Sequence, residues 1–481
     1  MPCIVLNQAV IRALTAQGGE MSFSTLIFTV CFLPIFLIVN QIVLTRTDGN
    51  IRYQNRVLLI FSVVFYLFAG LGGLLILLLC TAITWYGAKQ IEKTRSAAML
   101  WITIAMLIAV LAFFKYAGFF ITVTMPLGLS FYIFKLISYT VDVYKEKCEA
   151  EDDVRDFLLY VVCFHHISQG PIVRYADMKA GMVHRRISTA NMAAGIYRFS
   201  LGLAKKVILA DQMGKLADTL LPMTEDIAKM PVTGIWLGSI VFSLQMYLDF
   251  SAYMDMAIGL GQMAGFIYPE NFDYPYCADS IKTFWRKWHI TLSFFFRDYV
   301  YIPLGGNRKG SMRTKVNLLI VWLLTGIWHG ATWNFVIWGL YYFIFISIEN
   351  SLNSNGIHIP KVLSHIYVVF VFNLGWLIFR FSDFKQLGQA LKGFFGFGDG
   401  FSSQVISVTL QNNIFILIIA ILACTPLFRN IRKAIERMIK DREMSAGIVY
   451  GWKTIVSFAA LIVGVIFMAG SGYQPFLYNA F

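Results

Sequence analysis

The stretch MLWITIAMLIAVLAFFKYAGFF, residues 99–120, decides the fold. Its side chains are apolar on every face, and they do not alternate with the period of two that a strand requires. About 20 apolar residues in a helix match the thickness of bilayer hydrocarbon. A membrane barrel would instead show short segments of alternating hydrophobicity. Residues 51–84 form a second long apolar run. Apolar residues make up 58% of the chain and charged residues 14%, against about 25% charged in soluble domains. Such a chain cannot cover a globule with polar surface, so lipid is its solvent. The expectation is an all-α polytopic membrane protein with roughly 10–12 transmembrane helices plus re-entrant or interfacial helices.

The net charge of +13 sits mainly in short loops between apolar runs, which is the positive-inside pattern. No basic patch interleaves with surface aromatics, so nucleic acid is not an expected partner. The seven cysteines lie far apart, and none has the C-x-x-C spacing of a zinc or redox motif. Residues 1–20 carry polar Asn7, Gln8, Gln17 and Glu20. They lack a signal peptide's apolar core and read as an extension upstream of Met21. Residues 21–481 read as a single membrane domain with an active-site core at about 245–340.

Outward from the opening stretch, apolar runs lie at 26–43, 57–85, 127–143, 157–167, 196–209 and 232–265. The 57–85 run has basic residues on both flanks and Gly70, Gly72 and Gly73 in its middle. A glycine turn making a hairpin returns both flanks to one side, which predicts cytoplasmic basic loops and an external N-terminus. From 269 to 310 the pattern breaks: Trp285, Trp288 and 294–296 mix with Lys282, Arg286, Lys287, Arg297 and Asp298. Such a segment survives at membrane depth only inside protein or beside a wet cavity. Runs resume at 316–328, 332–348, 362–379, 414–427 and 454–469. Residues 429–443, with Ile431, Ile435, Met438 and Ile439 at helical spacing, read as a basic amphipathic helix able to lie on an anionic leaflet.

Two histidines stand out. His329 lies in LLTGIWHGATWN (323–334), between two apolar runs. Gly326 and Gly330 form a small-xxx-small face that admits a second backbone. An imidazole there, walled by Trp328 and Trp333, is a base poised near neutrality; a hydrogen-bonded packing histidine is the alternative. His289 lies in FWRKWHITLS (284–293). On a helix it shares a face with Trp285; an interfacial histidine in an aromatic belt is the bland reading. Asp249 and Asp255 sit in an otherwise apolar run, with Tyr253 one turn from Asp249. A lone buried carboxylate is costly, so each calls for a partner, with Arg286 or Arg297 as candidates. His165 and His166 diverge if helical and make no metal site, and no metal ligand set is expected. His184, His358 and His365 read as solvated.

YLDFSAYMDMAIGL (247–260), PENFDYPY (269–276), FWRKWHITLS (284–293) and RDYVYIPLGG (297–306) together resemble the membrane-bound O-acyltransferase (MBOAT) family, in its bacterial branch of alginate and peptidoglycan O-acetyltransferases. LTGIWHGATWN (324–334) is similar to that branch's active-site motif, and 126–144, 169–175 and 202–211 fit in order. The resemblance implies helices around a central tunnel, with His329 as active-site base and His289 as second functional histidine. It further implies tunnel or supporting roles for Asp249, Tyr253, Asp255, Trp285, Arg286, Trp288, Trp328, Trp333 and Asn334. No bound cofactor is implied, only an acyl-CoA donor, most simply acetyl-CoA. The implied setting is a bacterial cytoplasmic membrane, with a secreted or anchored SGNH-like partner and an envelope polysaccharide as acceptor. The tail GYQPFLYNAF (472–481) resembles one that ends the partner peptide of the D-alanylation system, which makes Tyr478 a candidate acyl carrier. In two places the chain departs from the pattern: His165-His166 stand where Phe-Pro is usual, and the tail has Asn479-Ala480 in place of an aromatic–polar pair. D-alanyl or lipid transfer is the rival within the family. A transporter or flippase is the rival from another class, though no paired repeats are visible.

Overall fold

The computed structural model describes residues 21–357, 359–441, 446–470 and Phe476. Among these the chain is helical and no strand forms. The helices are α1 (Leu33–Arg46, preceded by a π-helical turn at Ile27–Phe32), α2 (Ile51–Leu67), α3 (Leu71–Thr94), α4 (Ala97–Tyr116), α5 (Leu129–Tyr144) and α6 (Val154–Val162). They continue as α7 (Tyr175–His184), α8 (Thr189–Ala204), α9 (Asp211–Leu220), α10 (Val232–Met263), α11 (Ile281–Lys287), α12 (Ile290–Phe296) and α13 (Ser311–His329). The last are α14 (Trp333–Ser354), α15 (Lys361–Arg380), α16 (Phe384–Phe394), α17 (Gln404–Ala423), α18 (Leu427–Asp441) and α19 (Ala446–Gly470).

Among the described residues, eight helices are long and apolar enough to cross a membrane: Ile27–Arg46, α3, α4, α10, α14, α15, α17 and Gly451–Gly470. Their outer surfaces carry exposed Trp101, Ile102 and Phe113 on α4 and Phe415, Ile418 and Ile421 on α17. Contiguous apolar surface of that kind is stable only against lipid or another protein. Short polar residues start the helices. The side chains of Asn50, Ser96, Ser280, Asp383 and Ser403 each accept a backbone N–H in the first turn, replacing a bond the helix cannot make itself.

The glycine hairpin forms as expected, α2 ending at Leu67 and α3 starting after Gly70 at φ +105°. The run at 127–143 differs from expectation. It becomes α5, buried around almost its whole circumference, Lys135 included, and such a helix belongs inside protein. The run at 157–167 stops at Val162, and residues 163–170 are irregular.

The chain forms two compact units: Met1–Ala204 with Tyr253–Glu270 and Lys453–Pro475, and Lys205–Ala252 with Asn271–Trp452 and Phe476–Phe481. In the first, Lys135 Nζ donates to the carbonyls of Tyr160 and Val161 at 3.2 and 2.9 Å and lies 3.0 Å from His166 Nδ1. A cation so placed suits the negative end of α6. His165 Nδ1 lies 3.2 Å from the Tyr268 hydroxyl. The histidine pair therefore sits buried in an irregular turn rather than on a helix. Gly128, at φ +67°, lies so near the Ile167 carbonyl that a Cβ would come within 1.9 Å of it, so only glycine fits. The 145–153 loop is tied down by Glu151, which accepts from the Tyr175 hydroxyl, from Lys179 and, at 3.0 Å, from the Asp153 N–H. Arg155 beside Asp153 holds that carboxyl at about 2.

In the second unit, α13 and α14 cross tightly. A Cβ on Gly326 would meet the Phe335 carbonyl oxygen at 2.4 Å, and one on Gly339 would meet the Trp322 oxygen at 2.4 Å. Gly326 gives the close approach expected of it, but its partner is Gly339 on α14; Gly330, expected on the same face, lies past the end of α13 in extended backbone and faces the Phe335 ring. Buried Glu349 accepts the N–H groups of Ile281 and Lys282 at 2.6 and 3.0 Å. It thereby fixes the start of α11, where the helix dipole favours an anion.

Candidate active site

Both singled-out histidines fall in the second unit. His329 is the last residue of α13 and is 3% exposed. Its ring centroid is 4.5 Å from Trp328, 5.0 Å from Trp338 and 5.1 Å from Phe379, the last two edge-on. The wall is thus Trp328, Trp338 and Phe379. Trp333, expected there, is 71% exposed, because Gly330 runs extended and α14 starts only at Trp333. Asn334 does face inward. Its Nδ2 donates to the carbonyls of Ile378 and Phe379, each at 3.2 Å. Those carbonyls belong to the last turn of α15, which has no intrahelical donor for them. Asn334 thereby holds Phe379 against His329.

His289 is 2% exposed and takes the left-handed conformation, φ +45°. That breaks the helix the sequence suggests: α11 ends at Lys287, α12 begins at Ile290, and Trp285 and His289 share no helical face. Asn271 holds the break. Its Oδ1 accepts from the Thr291 N–H at 2.9 Å and from the Thr291 hydroxyl at 3.0 Å, and it faces His289 Nδ1 at 3.3 Å. An oxygen already accepting two bonds makes Nδ1 the donor and Nε2 the basic nitrogen. The Asn271 carbonyl also accepts the Ile290 N–H at 3.0 Å. Phe250 packs edge-on against the His289 ring at 4.9 Å.

Trp328 joins the two imidazoles, its ring 4.5 Å from His329 and 6.4 Å from His289. Beyond it lies an aromatic block. Trp285 contacts Trp338 at 5.3 Å and Tyr342 at 4.7 Å, and Trp288 stands 4.9 Å from Trp376. Arg286 points outward and is exposed. A cavity of about 260 Å³ opens near the start of α11, lined by Asp279, Glu349, Lys361 and Tyr367 among others; neither histidine lines it.

The carboxylates find partners other than those expected. Asp249 and Asp211 each stand 2.7 Å from Lys206 Nζ, and the Phe476 ring covers that ammonium at 4.4 Å. Asp255, in the first unit, pairs with Arg198 at 3.0 Å, as does Glu270 at 2.6 Å. Tyr253, in the same unit, bonds Ser168 and stacks on Phe23 at 4.9 Å. Arg286 and Arg297 take no part in either pair; Arg297 bonds its neighbour Asp298. Of the remaining histidines, His365 is not simply solvated: its Nδ1 lies 2.9 Å from the Ala278 carbonyl. His358 and Tyr478 lie outside the described residues. Sequence reading missed Asn271, Trp338, Phe379 and Lys206. Asn271 and Lys206 fall inside motif stretches already noted, at 269–276 and 202–211; Trp338 and Phe379 carry no local signal.

The chain matches the family model described as MBOAT, membrane-bound O-acyltransferase, over residues 61–355. It is 37% identical to a probable alginate O-acetylase AlgI of Azotobacter vinelandii, over 79% of this chain and 79% of that protein. It is 31% identical to a peptidoglycan O-acetyltransferase of Helicobacter pylori, over 78% of this chain and 80% of that protein. A teichoic acid D-alanyltransferase of Bacillus subtilis is 26% identical over 47% of this chain and 58% of that protein.

Proposed function

The chain belongs to the membrane-bound O-acyltransferase family, and from that premise we propose that it passes an acetyl group from cytoplasmic acetyl-CoA toward an extracytoplasmic polysaccharide, with His329 as general base. That it is an O-acyltransferase and a multi-pass membrane protein follows from the family and from its apolar helices, and the transporter reading falls with it. The observation that carries the rest is the buried imidazole at the end of α13, joined through Trp328 to a second buried imidazole.

The step runs as follows. A hydroxyl oxygen attacks the thioester carbonyl carbon while His329 takes the hydroxyl proton. The tetrahedral intermediate collapses, the C–S bond breaks, and the departing sulfur receives the proton, leaving an acetyl ester and the CoA thiol. His329 ends a helix, and the negative end of α13 stabilises the imidazolium that forms. The aromatic block keeps water from the thioester, which suppresses hydrolysis. We assign His289 to the same reaction, with Asn271 setting its tautomer.

The first acceptor hydroxyl in this reading is Tyr478. Phe476, two residues earlier, is buried over Lys206 in the unit that holds both histidines, which supports this reading. An SGNH-like secreted or anchored partner then carries the acetyl group to an envelope glycan of a bacterium whose cytoplasmic membrane holds the enzyme. Acetyl is preferred over D-alanyl because the acetylase relative aligns over 79% of the chain and the D-alanyltransferase over 47%.

Purified protein given acetyl-CoA should release CoA thiol, and His329→Ala should lower that rate about 10²–10⁴-fold, the contribution typical of a general base. Equal rates would overturn the assignment. Full polysaccharide acetylation in cells carrying Tyr478→Phe would overturn the relay alone.

A further inference from the structure

The segment that carries His289 is a strap in which the loop at 271–274 runs beside the α11–α12 junction. The Asp273 N–H donates to the Lys287 carbonyl at 3.1 Å and the Ile290 N–H to the Asn271 carbonyl at 3.0 Å, so 271–273 lies alongside 287–290. Each side contains a left-handed non-glycine residue, Tyr274 at φ +48° and His289 at φ +45°. Such conformations persist only where surrounding groups hold them. At His289 the holder is Asn271. At Tyr274 it is α18: the Arg429 guanidinium lies 4.6 Å over the Tyr274 ring and donates to Asp273 Oδ1 at 2.9 Å.

α18 itself is amphipathic. Phe428, Ile431, Ile435 and Met438 recur every three to four residues and are exposed. Arg432 borders this stripe, and Lys433 and Arg437, both exposed, lie on the polar face across the helix. The helix stands between two candidate spans, α17 and Gly451–Gly470, so it lies at the membrane surface. An exposed apolar stripe backed by a basic polar face in that place is built to sit in the head-group region of an anionic leaflet.

We propose that α18 is an anionic-phospholipid site that steadies the His289 strap through Arg429. Lipid phosphates pair with Arg432, Lys433 and Arg437, the apolar stripe enters the acyl region, and the helix so fixed presents Arg429 to Asp273 and Tyr274. The functional half of the proposal rests on the reading of His289 given above; the binding half does not.

The test uses the full chain in nanodiscs of phosphatidylcholine, with or without phosphatidylglycerol. Native mass spectrometry reads retained phosphatidylglycerol, and hydrogen exchange reads amides 271–291. The wild type should retain phosphatidylglycerol, exchange more slowly across 271–291 in its presence, and release CoA thiol from acetyl-CoA faster. A charge near an anionic surface changes binding about fivefold, so Lys433→Gln with Arg437→Gln should lose about 25-fold in retention, and with it the protection. Asp273→Asn should keep the lipid and lose the protection. Inorganic phosphate in phosphatidylcholine discs should give neither effect, since it offers nothing to the apolar stripe. Equal retention by wild type and double variant, or strap exchange indifferent to phosphatidylglycerol, overturns the proposal. Absence of turnover in every lipid would count against the acyl-transfer reading, leaving retention and exchange to decide the lipid site.

Discussion

Asn271 supplies one oxygen to three groups: the Thr291 N–H, the Thr291 hydroxyl and His289 Nδ1. Removing it strands a buried N–H and a buried hydroxyl. Asn271→Ala should therefore cost ~1–3 kcal/mol, the usual penalty of an unsatisfied buried polar group, read as a lowered unfolding midpoint in detergent. It should also lower CoA release, because the His289 tautomer is no longer set. Asn271→Asp keeps the acceptor and should recover most of the stability. His329 was legible because an ionisable side chain between two apolar runs demands explanation, and His289 because it stands among aromatic and basic residues where the apolar pattern breaks. Asn271 was not, since an asparagine between Glu270 and Phe272 looks like loop composition, and only its contacts reveal what it holds.

Among elements, the crossing of α13 and α14 admits the sharpest comparison. Gly326→Ala puts a methyl group 2.4 Å from the Phe335 carbonyl oxygen. Backbone cannot yield cheaply there, so overpacking of about 1–3 kcal/mol is expected, with His329 displaced at the helix end. Gly72→Ala in α3 meets nothing within 4 Å and should be neutral or stabilising by up to ~1 kcal/mol through helix propensity. Thermal unfolding of both variants in one detergent makes the comparison. Gly326 was legible as a close-approach site, but its partner in the crossing is Gly339 rather than Gly330. The break between α11 and α12 was hidden, because FWRKWHITLS contains no glycine or proline to announce it; the left-handed His289 is imposed by Asn271 from outside the stretch.

At the scale of the whole molecule, buried charges are met by partners distant in sequence. Lys206 serves Asp249 and Asp211 at once. Lys206→Met would leave two buried carboxylates without their cation and should cost ~3–5 kcal/mol, the scale of a broken buried pair, measured by tryptophan fluorescence during thermal unfolding. In the other unit, burial would raise Glu151, but hydrogen bonds from Lys179, Tyr175 and the Asp153 N–H outweigh it and hold the carboxyl below its ordinary value. A depressed carboxylate adds stability above the unfolded value near 4.3 and loses it as pH falls through its own lower value. Glu151→Gln should therefore flatten the stability profile below about pH 4, while a variant as acid-sensitive as the wild type would contradict this.

The amino-acid sequence by itself determined that lipid is the solvent, that the spans are helices, that α18 is amphipathic, and which two histidines to examine. Each of these follows from composition and periodicity, which act over one turn or one span. Only the tertiary structure decided who meets whom: Lys206 rather than Arg286 or Arg297 for Asp249, Arg198 for Asp255, Trp338 and Phe379 rather than Trp333 around His329. The reason is physical. A buried charge or ring needs a partner of a given kind within a few ångströms, and many residues of that kind lie in the chain. Which one arrives is set by how the helices cross.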